Sequence, residues 1–269
     1  MDLMLHLVAL PLWLLGVLLV GGMTLAALLG PPLVRRHVSL ERLSAHNEVA
    51  GFKFATLGVV YAVQLAFAVI IVWEKYHEAE NTVAQEAGAI ASMYRLSGGL
   101  EPKAQEELRA ELARYLHAAV ADDWPAMARG GSSRDVTRIL TDVYGTALAY
   151  EPNGSRGAPL LSEILGQLDK LTQARRQRLG LASGTVPGVV WLVLFTGAAL
   201  TIGFTFFFGT ENLRAQALMS AMLGLVISMS LFVVVLIDHP FAGSVRVTPE
   251  ALEAVLEAFG GSASVPAAR

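Results

Sequence analysis

Glu86 stands three residues after Val83 and four before Ile90, so helical spacing puts its carboxylate at the border of an apolar stripe. A carboxylate in that position needs a cation. Arg175, Arg176 and Arg178 are the candidates, because the helix carrying them leads from a polar block towards an apolar run. Two chemistries fit: an ion-binding or gating contact near the membrane mouth, and a salt bridge holding two long helices together. Glu74, at the end of an earlier apolar run, joins this set as a residue coupling block to membrane. The arginine triplet has a third reading, since cations beside a span anchor it at the lipid headgroups.

A second set is the run Asp238-His239-Pro240-Phe241-Ala242-Gly243. A His beside an Asp titrates near neutral pH. A metal site needs three or four ligands, so this pair reads as a cap and turn with proline as terminator. A third set consists of polar residues inside apolar runs: Tyr61 and Gln64, then Thr201 and Thr205, then Ser220 and Ser228. Tyr61 and Gln64 are three apart and are expected to share a face, away from Gly58 and Ala62. Polar groups at membrane depth face a cavity or another helix, so the set lines a pore or makes interhelical hydrogen bonds. Small residues recur at four-residue spacing as Gly51/Ala55 with Gly58/Ala62/Ala66, as Gly197/Thr201/Thr205, and as Ser220/Gly224/Ser228. Such stripes let helix backbones approach closely, whether in a channel wall or in ordinary packing.

Other chemistry finds little support. There are no cysteines, which excludes disulfides, thiolate catalysis and Cys-ligated metals. His37, His46, His77 and His117 form no ligand pattern. No phosphate-binding loop, dinucleotide fingerprint or HExxH is present, so no enzyme activity, cofactor or metal is expected. The net charge of −3 leaves no footprint for nucleic acid. His6 is the only clear ionisable group inside the apolar runs, which argues against a proton-coupled transporter.

The elements that must position these residues are mostly membrane helices. The 269 residues are 54% hydrophobic and 16% charged, against about 25% charged in soluble domains. The deficit is concentrated in four runs long enough to cross a bilayer as helices. They are Leu3–Leu29, Phe54–Trp73, Pro187–Phe208 and Ala215–Ile237. Gly30-Pro31-Pro32 is expected to stop the first. The first run is too long for a signal peptide, and no basic residue precedes it. Glu211-Asn212-Leu213-Arg214 and its neighbours force the last two into a hairpin.

Residues 75–178 form a polar block. The second span is expected to run on as one helix from Val49 to Ser97, about 70 Å at ~1.5 Å per residue, ending at Gly98-Gly99. A helix opens at Glu101-Pro102 and breaks at Asp122-Asp123-Trp124-Pro125. Another is capped by Ser132-Ser133. A third carries Leu161, Ile164, Leu165, Leu168 and Leu171. These amphipathic helices predict a bundle. The reading is an all-α membrane protein with four transmembrane helices arranged 2+2 and a helical-bundle insert between the second and third. Its domains are a first hairpin (1–74), a polar helical domain (75–178), a second hairpin (179–240), and a tail (241–269). The tail has a short helix through Phe259, followed by an unstructured Gly260-Gly261-Ser262-Ala263-Ser264.

Several stretches are familiar in combination: His46 to Phe52, Leu57 to Val63, Val72 to Tyr76, Glu86-Ala87, Arg175 to Leu179, Pro187 with Trp191, and Asp238 to Phe241 with Gly243. From His46 to Pro249 the chain resembles the bacterial bestrophin-like family, domain of unknown function 4239. The resemblance implies two hairpins flanking a cytosolic helical region, a homo-oligomer in the lipid bilayer of the inner membrane, and conduction of chloride or another small anion. Bestrophin pore and calcium-site residues do not carry over to named positions, and the acidic cluster of a calcium clasp is not evident. Charge counts divide on topology. Arg35, Arg36, Arg42 and Lys53 pull the first loop inside, while Arg175, Arg176, Arg178, Lys75 and Lys170 pull the block inside. The resemblance tips the block to the cytoplasm. The alternative function is a non-conducting membrane scaffold or signalling protein whose helical domain binds a partner.

Overall fold

A computed structural model describes residues 7–8, 10–152, 154–184 and 186–262. His6 and the start expected for the first span lie outside the described residues. The described chain is helical and contains no strand. Four helices are long and apolar enough to cross a membrane: Leu12–His37 (α1), a second running from Asn47, Gly188–Phe207 and Leu213–Ile237. The chain divides into two compact units. The first holds residues 1–74, 185–239 and 243–245, and the second holds residues 75–184, 240–242 and 246–269.

In the first unit, α1 does not stop at Gly30-Pro31-Pro32. It passes through both prolines to His37. Proline removes backbone donors, leaving the carbonyls of Ala27 and Leu28 without their usual partners. Inside a bilayer protein such a site is tolerated where neighbours and local helix adjustments absorb the loss. Here Pro31 is buried, and a wider π turn, Val17–Gly21, lies upstream in the same helix. After a short helix, α2 (Leu40–Ser44), comes α3 (Asn47–Leu96), 50 residues without a break. At about 1.5 Å per residue it is roughly 75 Å long. It contributes to both units.

Three further helices belong to the second unit ahead of the next span. They are α4 (Pro102–Ala118), α6 (Arg134–Leu148) and α7 (Gly154–Leu181), with the short α5 (Trp124–Met127) between α4 and α6. The expected break at Asp122 to Pro125 is a π turn instead, Ala119–Asp123, which leads directly into α5. Pro125 sits in the first turn of α5, just past the wider π turn that absorbs its missing N–H. Ser133 caps α6 by accepting from the Val136 N–H at 3.4 Å. The core of this unit joins Val83, Ile90 and Met93 of α3 to Leu112, Leu116, Leu140, Ile164 and Leu168.

α8 (Gly188–Phe204) is followed by a 3-10 turn and α9 (Leu213–Ile237). α9 packs against α1. A Cβ placed on Gly224 would sit 2.6 Å from that of Ala27, so glycine is what allows the approach. The connection between α8 and α9 is clamped by Asn47. Its amide donates to the Gly209 carbonyl at 2.6 Å and accepts from the Gly209 N–H at 2.9 Å. Arg35 donates to the Thr210 carbonyl at 2.9 Å. The chain closes with α10 (Glu250–Ser262), which includes the Gly260-Gly261-Ser262 expected to be unstructured. Ala263 and Ser264 lie outside the described residues.

Candidate functional site

The second unit buries two carboxylates and two guanidinium groups together. Glu86 lies on the inner face of α3, and Arg178 reaches it from α7. Arg178 Nε donates to Glu86 Oε2 at 2.6 Å, and Nη2 donates to Oε1 at 3.0 Å. This two-pronged geometry is the strong form of the pair. Tyr115 of α4 donates to Glu86 Oε1 at 2.6 Å. Asp123, turned inward by the π turn, accepts from Arg178 Nη2 at 3.3 Å and from Arg175 Nε at 2.9 Å. It also accepts from the Ser133 N–H at 2.8 Å, just ahead of α6. Arg178 lies 4.5 Å above the Trp124 ring. Glu86, Asp123, Tyr115 and Arg178 are fully buried and Arg175 nearly so.

Charges balance, two against two. Burial alone would make Arg178 easier to deprotonate. The charge and hydrogen bonds of Glu86, with Tyr115 and Asp123, outweigh it, so the guanidinium is held protonated more firmly than in water. Burial, then the Glu86 charge, pushes the Tyr115 phenol well above its ordinary value. Each charged group faces several partners, so the network acts as a pin joining α3, α4, the π turn and α7.

Of the residues singled out in the sequence, Glu86, Arg175 and Arg178 are thus brought together. Arg176 is exposed, and Glu74 is exposed at the end of its unit. Headgroup anchoring does not describe Arg175 and Arg178, which are interior and paired. Asp123 and Tyr115 were not singled out as site residues, and Ser133 was read only as a helix cap. A signal for Asp123 was available: it continues the helical stripe Leu112, Leu116, Ala119, and the neighbouring proline masked it.

Asp238 Oδ1 accepts from the Val186 N–H at 2.7 Å, fixing the entry to α8. His239 Nδ1 lies 3.1 Å from Asp238 Oδ2. The Pro240 carbonyl accepts from the Val247 N–H. Phe241 sets its ring edge-on to Trp124. Gly243 has φ +79°, a conformation that favours glycine, and a Cβ there would run into Val8. Among the described residues no cluster of three metal-ligating side chains occurs.

In the first unit, Tyr61 and Gln64 do not share a face. Tyr61 is 3% exposed and packs on Gly197 of α8, whereas Gln64 is exposed. The buried stripe of α3 is Tyr61, Leu65, Ala68 and Val72, and its edge falls between the two residues. Tyr61 instead lines a groove of about 840 Å³ together with Gly58, Ala62, Ala66 and Thr201. Thr205 donates to the Ile202 carbonyl and Ser228 to the Leu225 carbonyl. Ser220 is buried in α9. Thr205 and Ser220 also line a groove of about 390 Å³ with Phe54 and Met219. In the second unit a separate groove of about 510 Å³ carries Arg95, Lys170 and the amides of Gln85, Gln167, Gln173 and Gln177, with no carboxylate in its lining.

Comparison with known proteins supplies the frame for these features. A search of curated proteins finds no match. Among solved structures, a point mutant of a bacterial bestrophin homologue from Klebsiella pneumoniae superposes with TM-score 0.72 at 14% identity, covering 91% of this chain and 99% of that one. The same homologue phased on zinc gives 0.68 at 15% identity, with 91% and 98% covered. A crystal structure described as that of a membrane protein gives 0.70 at 15% identity, with 91% and 99% covered. At these identities the likeness is one of fold. Residues 21–252 match the Bestrophin-like domain as a family. An all-helical membrane protein with this element order, matched over most of its length, belongs to the Bestrophin-like domain family.

Proposed function

We propose that the protein is an oligomeric anion channel of the inner membrane, with α3 as its lining helix and chloride or another small anion as its permeant ion. The carrying observation is Gln64. Its amide is exposed at the middle of a membrane span, where contact with lipid leaves its hydrogen bonds unmade. Contact with water or with another protein surface would satisfy it, which supports copies assembled around α3. Helix phase supports the same reading. At about 100° per residue, Val59, Val63 and Ile70 lie roughly opposite the buried stripe and are exposed. In a ring of copies this face points to the axis and forms an apolar constriction of the kind that gates by dewetting. The family resemblance supports a helical unit on the cytoplasmic side.

Purified full-length protein in planar bilayers tests this. The reversal potential should follow the anion gradient, and Val63→Asn should raise conductance by wetting the constriction. A monomeric mass, with no current across a broad ion and pH screen, would leave the scaffold reading in its place.

A further inference from the structure

Four arginines gather at one end of the second unit with little in the chain to offset them. The chain passes between its two units at residues 74–75 and 184–185, and again between 239 and 246, so this is the end from which it enters and leaves the membrane-length helices. Arg246 stands at one of these crossings. The carbonyl of its neighbour Val247 accepts from Trp124 Nε1 at 3.2 Å, and Phe241 lies against the same ring. Those contacts fix the Asp123–Trp124 corner at this end. Arg129 leaves α5 in a tight turn, where the Gly131 N–H returns to the Ala126 carbonyl at 2.9 Å. Arg134 opens α6 directly after Ser133, whose N–H donates to Asp123 at 2.8 Å. Arg176 follows Arg175, which donates both to Asp123 and to the Ser133 carbonyl.

All four side chains are exposed, and none makes an ion pair or a hydrogen bond with a described residue. The carboxylates of this corner do not balance them. Asp123 is buried and already serves Arg175 and Arg178. Asp135 is held by Arg138. That leaves the exposed Asp122 and Glu250 against the four arginines. Where α3 stops and α4 begins, at the other end of the unit, cations are matched. Lys103 lies 3.9 Å from Glu107, and Arg109 donates to Ser97 at 2.9 Å while covering the Tyr94 ring. Uncompensated guanidinium groups attract phosphate, which their planar fork binds through two parallel bonds. α8 begins at Gly188, just past the Gly184 crossing, and α9 ends at Ile237, just before Pro240. The phosphates nearest to these crossings are therefore those of lipid headgroups.

We propose that the corner carrying Arg129, Arg134, Arg176 and Arg246 binds the headgroups of anionic phospholipids in the leaflet beside the helical unit. Arg129 and Arg134 are far from any span in sequence, and folding alone brings them to this end. Headgroup contact, which the interior Arg175 and Arg178 do not make, passes to their exposed neighbours. The anionic surface of a cytoplasmic leaflet attracts basic groups within a Debye length, in keeping with the cytoplasmic placement proposed above. The site fastens the helical unit to the leaflet whether or not the protein conducts or assembles.

Ser132, exposed between Arg129 and Arg134, is the place for a reporter, because the chain has no cysteine of its own to compete for the label. The full-length Ser132→Cys protein, carrying one fluorophore, is reconstituted in phosphatidylcholine nanodiscs with a small fraction of spin-labelled phosphatidylglycerol or spin-labelled phosphatidylcholine. The phosphatidylglycerol should quench the more strongly, and its advantage should shrink as salt rises. Arg129→Gln, Arg134→Gln, Arg176→Gln and Arg246→Gln should each reduce that advantage, by at most about fivefold, with the melting temperature unchanged. Arg156→Gln, an exposed cation at the start of α7, should leave it intact. Equal quenching by the two lipids, quenching by neither, or an advantage indifferent to the four substitutions overturns the site. Loss of the advantage to added inorganic phosphate at matched ionic strength overturns the lipid as occupant and points to a soluble anion.

Discussion

Arg178 is the residue on which the buried network turns. Removing one partner of a buried pair leaves the other charge uncompensated, at a cost of about 3–5 kcal/mol. Arg178→Met should therefore lower the thermal stability of the detergent-solubilised protein by an amount in that range. Adding Glu86→Gln should recover part of the loss, and Arg178→Lys should not match wild type because an ammonium lacks the two-pronged geometry. Tyr115 sets an alkaline limit. Its phenol is raised above its ordinary value of 10.0, so the folded state keeps a proton that the unfolded state releases. That contribution is complete below pH 10 and is lost as pH rises through the folded value. Melting temperature followed above pH 10 should fall more steeply for wild type than for Tyr115→Phe. The variant should itself lose about 1–2 kcal/mol at neutral pH from the missing bond to Glu86.

Among the helices, glycine positions separate packed faces from open ones. Gly224→Val should be severe because Ala27 already occupies the space, while Gly58→Ala should leave melting nearly unchanged because that space is empty. The Asn47 clamp on Gly209 predicts a further loss of about 1–3 kcal/mol for Asn47→Ala, read from the same melts. The continuity of α3 could be seen in the sequence because nothing between Asn47 and Leu96 interrupts a helix. Stripe phase marks Glu86 as a carboxylate needing a cation, and Arg178 is one of the three arginines the sequence offers for it. Pro31-Pro32 and Pro125 misled for one reason: a proline rule drawn from isolated helices ignores packing and wider turns that absorb the lost bond. Tyr61 and Gln64 misled for another. Sixty degrees of helix phase is small enough to suggest one face, yet the edge of burial runs between them. The Asn47 clamp joins residues 162 apart in sequence, and no local pattern announces it.

Taken whole, the chain puts its charge network in one compact unit and its four membrane-length apolar segments in the other. The two can therefore be perturbed separately. Arg178→Met should render residues 75–184 sensitive to limited proteolysis while the mass of the proposed assembly stays unchanged. Gln64→Leu should do the reverse. A loss of oligomer in the arginine variant would show that the membrane unit does not assemble by itself.

The π turn at Ala119–Asp123 also has a meaning for insertions and deletions. A π turn holds one residue more than an α turn while keeping the flanking segments in phase. Deleting the exposed Ala121 should close it to ordinary helix with Trp124 and Met127 still facing inward. Deleting the equally exposed Ala110, within regular helix, should swing everything downstream by about 100° and carry Asp123 away from both arginines. The same loss of one alanine would be mild at one point of the helix and ruinous three turns earlier, which makes the turn the place where the length of this segment is free to vary.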